Sequence, residues 1–239
     1  IMQDSHSRQT AIRLGAHGEN YGNWMSNPVF YMVGGLLALA VALAVLSFTV
    51  FHLTMLGVIF IIAAAIFLVL LGWITWIRRQ YAFGGGGMME RVHHTILSHL
   101  DYDGKGTLLD VGCGSGALAI RAALTWRSAQ VTGIDYWGAA YGYGQAMCEK
   151  NAASEGVGSQ CTFRHGDANR LDFPDESFDA VVSNYVYHNI TGADKHELLL
   201  ETLRVLKKGG VFALNDEMKP RMYGDMEAFA QRLRDMGYQ

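Results

Sequence analysis

Leu108-Leu109-Asp110-Val111-Gly112-Cys113-Gly114-Ser115-Gly116 reads as a buried strand that runs straight into three alternating glycines. Glycines at such a turn accept positive φ, let the backbone approach a ligand closely, and allow a helix to start beneath it. The chain continues in that way. Thr107 to Val111 reads as the strand and Ala117 to Thr125 as the helix. Gln130 to Ile134 then reads as a strand and Gly144 to Ala153 as a helix. Cys161 to Arg164 and Phe178 to Ser183 are strand-like, Lys195 to Leu206 is an amphipathic helix, Gly210 to Leu214 is a fifth strand and Met226 to Met236 a last helix. Upstream, Met89, Val92, Ile96, Leu97 and Leu100 recur at helical spacing between Met88 and Leu100. Strands alternating with helices predict an α/β domain with a doubly wound parallel sheet covered on both faces. Ligands of such sheets sit outside the carboxyl ends of the strands, so the residues just after each strand are the ones to read.

Three of them are acids or lie beside one. Asp110 precedes the glycines, Asp135 closes the second strand ahead of Tyr136 and Trp137, and His165-Gly166-Asp167-Ala168 follows the third. A dinucleotide site would show GxGxxG, whereas the spacing here is GxGxG with a carboxylate inside the strand. No phosphate gains from a neighbouring carboxylate; an ammonium group does. Asp135 stands where ribose hydroxyls lie, the aromatics beside it suit a flat ring, and Asp167 can accept from an exocyclic amine. Three carboxylates after three successive strands describe a cationic amino-acid nucleoside.

Ahead of this domain the composition is different. The 239 residues are 50% hydrophobic and 17% charged, with a net charge of −3, which excludes a disordered chain and a nucleic-acid binder with a broad basic face. From Val29 to Ile77 there is no Asp, Glu, Lys or Arg. A bilayer span takes about 20 residues, so this run predicts two transmembrane helices, from about Val29 to Phe51 and Thr54 to Ile77, within a hairpin spanning 28–79. Ser47, Thr49, His52, Thr54 and Gly57 mark the turn, and Asn27-Pro28 is a helix start. Trp73, Trp76 and Arg78-Arg79 close the second span, and Arg8 and Arg13 precede the first. The positive-inside rule then puts both ends in the cytoplasm: a multi-pass cell-membrane protein with a cytoplasmic tail over 1–27 and a cytoplasmic domain over 80–239. Gly34, Ala38 and Ala42 form a small-residue stripe on which the second span or another copy of the chain packs. Residues 1–27 read either as a tail or as a lid on the soluble domain. Gly84 to Gly87 reads as a linker. Cys113, Cys148 and Cys161 lie far apart without CxxC spacing, which fits a reducing compartment, and His93 and His94 lack a partner spaced for metal.

The set LLDVGCGSG, GIDYW, HGDA, FPDESFDAVVSNYVYHN and LRVLKKGGVFALND, in that order over about residues 89–237, resembles the class I S-adenosylmethionine-dependent methyltransferases, a Rossmann-like fold. The resemblance implies that Asp110, Gly112, Cys113, Gly114 and Gly116 surround the methionine portion of S-adenosylmethionine, with Asp135 on the ribose. It places Tyr136 or Trp137 on adenine, and Asp167 with Ala168 at its amino edge. Asn184 and Tyr185 would edge donor and acceptor. The family ends in an antiparallel hairpin of sixth and seventh strands, whereas this sequence begins at Ile1 and stops at Gln239 after its last helix, so that hairpin is expected to be missing.

A sulfonium methyl is already reactive, so the protein must hold an acceptor in line and exclude water. His188 and Tyr185 are the candidate catalytic residues, His188 as a base if the acceptor loses a proton. Asp216 and Glu217, after the fifth strand, would orient an acceptor or cap a loop. A small-molecule or lipid-like acceptor entering beside Asn184 to His188, bounded by the Phe83–Gly87 loop, is the expectation. The alternatives are a membrane sensor or scaffold that binds the donor without turnover, and a dehydrogenase, which the glycine spacing and a missing TyrxxxLys pair oppose.

Overall fold

The computed structural model describes residues 14–15, 19–23, 27–83, 87–138 and 142–239. The chain divides into two compact units, residues 22–89 and residues 1–21 with 90–239.

The first unit is a helical hairpin of α1 (Asn27–Thr49) and α2 (Thr54–Tyr81). Its turn holds His52 at φ 53, and the Leu53 amide donates to the Ser47 carbonyl at 2.8 Å. Gly57 is required there: a side chain would begin 2.6 Å from the Phe48 ring. At the open end the Arg78 guanidinium donates to Asn27 Oδ1 at 2.6 Å, and Asn23 donates to the Arg78 carbonyl at 2.7 Å. Val33, Ala40, Ala44 and Ser47 form the buried face of α1. The stripe of Gly34, Ala38 and Ala42 is therefore not where α2 packs: Ala38 and Ala42 are exposed, and a side chain at Gly34 would meet nothing within 4 Å. Large apolar side chains cover the outside, among them Met55 at 80% and Val69 at 72% exposure.

The second unit is the α/β domain. After α3 (Met88–Ser98) come β1 (Lys105–Val111), α4 (Ala117–Thr125), β2 (Ser128–Asp135), α5 (Gln145–Ser154), β3 (Cys161–His165), β4 (Phe178–Asn184), a 3-10 turn (Tyr187–Asn189), α6 (Lys195–Arg204), β5 (Leu206–Asn215), α7 (Pro220–Tyr223) and α8 (Met226–Asp235). All strand pairs are parallel, in the order β3-β2-β1-β4-β5, so the chain crosses over after β3 and the switch in direction lies between β1 and β4. Central β1 is paired on both edges, with Asp110 between Gly133 and Val182. On one face Leu109, Val111 and Val181 pack with Leu198, Leu199 and Leu203 of α6 and Phe229 of α8. Each such side chain contributes about 1.5–3 kcal/mol by leaving water.

β5 starts at Leu206 rather than Gly210, because Leu206 pairs with Phe178 before the ladder slips and Val211 picks up Ala180. The Lys207 ammonium in that stretch reaches Asp179 Oδ2 at 2.8 Å, and the same carboxylate accepts from the Thr107 amide at 2.8 Å. The 3-10 turn and α7, too short to carry a periodicity, were not foreseeable from spacing.

Residues preceding the hairpin also belong to this unit. Leu14 is fully buried and Tyr21 nearly so. Glu155, which caps α5, accepts from the Gly15 amide at 3.1 Å and from the Tyr21 hydroxyl at 3.2 Å. The buried Asn151 amide on α5 donates both to the Asn20 carbonyl at 3.0 Å and to the Ser115 carbonyl in the glycine turn at 3.2 Å. Between a tail and a lid, the described residues of this segment form a strap on the α/β domain. Asn151→Ala strips both carbonyls of their donor, at a cost of about 1–3 kcal/mol. Thermal unfolding should come at a lower temperature and protease should cut residues 14–21 sooner; an unaltered melt and digest would show that the bridge contributes nothing.

Candidate functional site

The carboxyl ends of β1, β2 and β4 form the site. The Gly112 and Cys113 amides both donate to the Ile134 carbonyl, at 2.8 and 2.9 Å, which turns the chain away from the sheet. Gly112 sits at φ 74, and a side chain there would begin 2.2 Å from Val186. Gly116, at φ 82, starts α4. Over Gly114, at φ 55, a side chain would lie in ordinary contact with the Tyr143 ring, at 3.5 Å.

Asp135 fastens this turn. Its Oδ2 accepts from the Gly114 amide at 2.8 Å and its Oδ1 from the Trp137 amide at 2.7 Å. Trp137 Nε1 donates in return to the Gly114 carbonyl at 2.8 Å. An ionised carboxylate has about four lone-pair positions, so two remain for a ligand's hydroxyls. Trp137 (φ 45) and Tyr185 (φ 59) are non-glycine residues held in the left-handed region. Such strain persists only where the surroundings enforce it and concentrates at functional sites. Here both residues follow the last residues of strands, β2 and β4.

The other acids behave differently from expectation. Asp110 is 1% exposed, and its Oδ2 accepts from the Ala119 amide at 3.0 Å. Burial pushes its carboxyl up to about 7 against the opposing pull of that hydrogen bond. In this structure Asp110 holds the first turn of α4 from beneath through that bond. Cys113 likewise points inward, burial pushing its thiol well above the usual range, beside Cys148, which donates to the Gly114 carbonyl at 3.2 Å. Asp167 is exposed after β3, and its Oδ1 closes a turn with the Asn169 amide at 2.9 Å, while Ala168 is half-buried against the core. Tyr136 is 67% exposed with its ring 5.0 Å from that of His165; with the indole of Trp137 committed to the glycine turn, Tyr136 presents the accessible ring of the two.

At the end of β4, Asn184 Oδ1 accepts from Asn215 Nδ2 at 2.8 Å, and the Tyr185 amide donates to the Asn215 carbonyl at 2.8 Å. The Tyr185 ring stands edge-on to that of His188, centroids 5.4 Å apart. His188 Nδ1 lies 2.5 Å from Asp216 Oδ1, and the His188 amide donates to Asp216 Oδ2 at 3.2 Å. The Asp216 side chain is wholly buried and that of His188 is 18% exposed. The sequence alone allows Asp216 to be an acceptor contact or a loop cap; its tie to His188 needs the β4–β5 pairing to become visible. Glu217 instead pairs with Lys219 at 2.8 Å. The proposed boundary at Phe83–Gly87 falls largely on residues 84–86, outside the described residues. Among the described residues no group of three or more His, Cys, Asp or Glu is arranged to hold a metal ion.

Comparison with known proteins agrees with this geometry. Residues 109–214 match the family model described as a methyltransferase domain. The 27-O-demethylrifamycin SV methyltransferase of Amycolatopsis mediterranei is 34% identical over 133 residues, 54% of this chain and 45% of that protein. The fatty-acid O-methyltransferase of Mycolicibacterium smegmatis is 35% identical over 131 residues, 55% of this chain and 43% of that one. The chain thus spans less than half the length of these curated relatives. Among solved structures, the [4+2]-cyclase SpnF superposes with a TM-score of 0.50 at 27% identity, over 62% of this chain and 57% of that one. The matches support an S-adenosylmethionine-dependent methyltransferase domain across residues 109–214, and the α/β unit has the Rossmann-like methyltransferase fold.

The raised Asp110 carboxyl has a pH consequence. An acid with a higher pKa folded than unfolded binds more protons in the native state, so its stabilisation is full below about pH 4 and is lost as pH rises through about 7. The melting temperature of Asp110→Asn should therefore fall less than that of the parent chain between pH 5 and 8. Equal slopes would mean that Asp110 does not carry the dependence.

Proposed function

We propose that the chain is a membrane-anchored methyltransferase that moves a methyl group from S-adenosylmethionine to a small-molecule or lipid-like acceptor. The observation that carries this reading is the glycine turn fastened by Asp135, whose two oxygens each accept one hydrogen bond among the described residues and keep a second lone pair each. S-adenosylmethionine, when bound, supplies an electrophilic methyl on a sulfonium. Asp135 would hold the ribose hydroxyls. Gly112, Gly114 and Gly116 would let the methionine portion pass close to the backbone, and Tyr136 would lie against the adenine with Trp137 behind it. Asp167 and Ala168 would meet the adenine amino edge, and Asn184 the methyl end. Asp110 and Cys113 serve this site by holding its walls. Tyr185 and His188 stand on the acceptor side, where an aromatic surface with polar tips suits an apolar molecule with one polar group.

The relatives named above act, by their names, on a rifamycin and on a fatty acid, which favours an apolar acceptor here. Membrane anchoring is supported by two helices of 23 and 28 residues that are long and apolar enough to cross a bilayer. Among the described residues their outward side chains are left exposed, as lipid-facing ones are. Two spans joined by a short turn return the chain to the side on which it entered. Arg78 and Arg79 at that end favour the cytoplasm, where the donor is made. A second copy of the chain would pack on the small-residue face of α1.

Asp135→Ala removes charge-assisted contacts worth about 1.5–3 kcal/mol, and calorimetry should show S-adenosylmethionine binding about ten- to a hundredfold weaker. Unchanged affinity would take Asp135 out of the site. The anchored topology is checked by alkaline carbonate washing, which should leave the chain in membranes, and by Asn20→Cys and Lys105→Cys, which should resist an impermeant thiol reagent in intact cells. Release by carbonate, or labelling from outside, would contradict it.

A further inference from the structure

Resting on the reading above, we propose that the acceptor reacts through a hydroxyl oxygen carried on an apolar molecule, with His188 taking its proton and Asp216 as the positioning residue that aims the imidazole. The argument begins with Asp216. A carboxylate with no exposed side-chain surface is costly unless its hydrogen bonds are met, and here they are. It accepts from the His188 and Glu217 amides, at 3.2 and 2.6 Å, and holds His188 Nδ1 at 2.5 Å. Tyr223 of α7 stands beside it, its phenol pushed up by burial and then by the charge of Asp216, so it remains a neutral hydroxyl.

An ionised carboxylate at Nδ1 makes that nitrogen the N–H donor, which leaves the lone pair on Nε2. The ring is thus fixed with its lone pair on the nitrogen that Asp216 does not hold, and 18% of the side chain is exposed, with the Tyr185 ring edge-on to it. Other ionisable groups near it are neutral or committed elsewhere. Burial pushes the Tyr187 phenol up, and its hydroxyl is bonded to Thr202 at 2.6 Å, while the Lys195 ammonium is taken by the Ile190 carbonyl. One directional acceptor lone pair matches one donor. A carboxylate acceptor is already deprotonated at neutral pH and gives this lone pair nothing to accept. A hydroxyl gives it one proton to align and take, and its oxygen then carries the electron pair that attacks.

The step balances without further reagents. The hydroxyl oxygen forms the new O–C bond as the methyl–sulfur bond breaks and sulfur keeps that electron pair. The hydroxyl proton passes to Nε2 and then to water. The exposed ring of Tyr185, at 40%, stands beside His188 and suits an apolar body.

The test uses the full chain in vesicles made from a total membrane lipid extract, with methyl-labelled S-adenosylmethionine. Donor binding is first measured by calorimetry, since failure there overturns the methyltransferase reading itself. With the donor bound, labelled product should survive mild alkali and release its label as methyl iodide in hydriodic acid, as a methyl ether does. Label lost in alkali (an ester), label that resists hydriodic acid (a carbon-bound methyl), or no transfer at all overturns the hydroxyl assignment. His188→Asn should lower kcat about a hundredfold with donor affinity unchanged, within the usual range for a general base. Asp216→Asn should lower kcat about tenfold. The nitrogen resonances of His188 in the parent chain give the second readout: a proton on Nδ1 and none on Nε2 at pH 8 is expected from the contact with Asp216. The opposite tautomer overturns the positioning role and would make Asp216 merely structural.

Discussion

The site depends on one carboxylate that does not need a ligand to be in place. Asp135 binds the amide of Gly114 with one oxygen and that of Trp137 with the other, and so joins the turn after β1 to the turn after β2. Neither turn is comfortable by itself, since one carries three glycines at positive φ and the other a tryptophan at φ 45. Each bond to an ionised acceptor is stronger than an ordinary amide–carbonyl bond, which is what holds two strained turns in register. A site assembled before the ligand arrives spends none of its binding energy on ordering loops. Asp110 contributes from the other side, pinning α4 under the same turn.

Much of this was legible in the sequence because the relevant signals are local. Ala117–Thr125 follows from the glycine turn and the apolar run behind it, and the hairpin turn between residues 50 and 53 from the polar cluster around His52. At Asp110 the local reading shows a carboxylate before a glycine turn and cannot show its surroundings: in the central strand it lies between two neighbours and under a helix, and its partner is nine residues on. The small-residue stripe on α1 left two partners open: spacing shows that a close approach is possible, and the packing of Val33, Ala40 and Ala44 shows which face α2 takes. Asp216 gave least signal of all. Its partner His188 is 28 residues away in sequence, and only β4–β5 pairing brings the two strand ends side by side.

The strap adds a constraint that sequence order conceals. Gly15, Asn20 and Tyr21 precede the apolar hairpin and yet are bonded to α5 and its cap, and Asn151 of α5 also grips the glycine turn at Ser115. The domain that carries the site is therefore closed by chain from both sides of the hairpin, and an isolated piece starting at residue 90 lacks part of its own packing.

The most direct test of the account is a calorimetric titration of the full chain, solubilised in mild detergent, with S-adenosylmethionine and in parallel with NADH. The geometry of the glycine turn and Asp135 predicts one saturable site for S-adenosylmethionine and no heat of binding for NADH. Saturable binding of NADH with none of S-adenosylmethionine would contradict it.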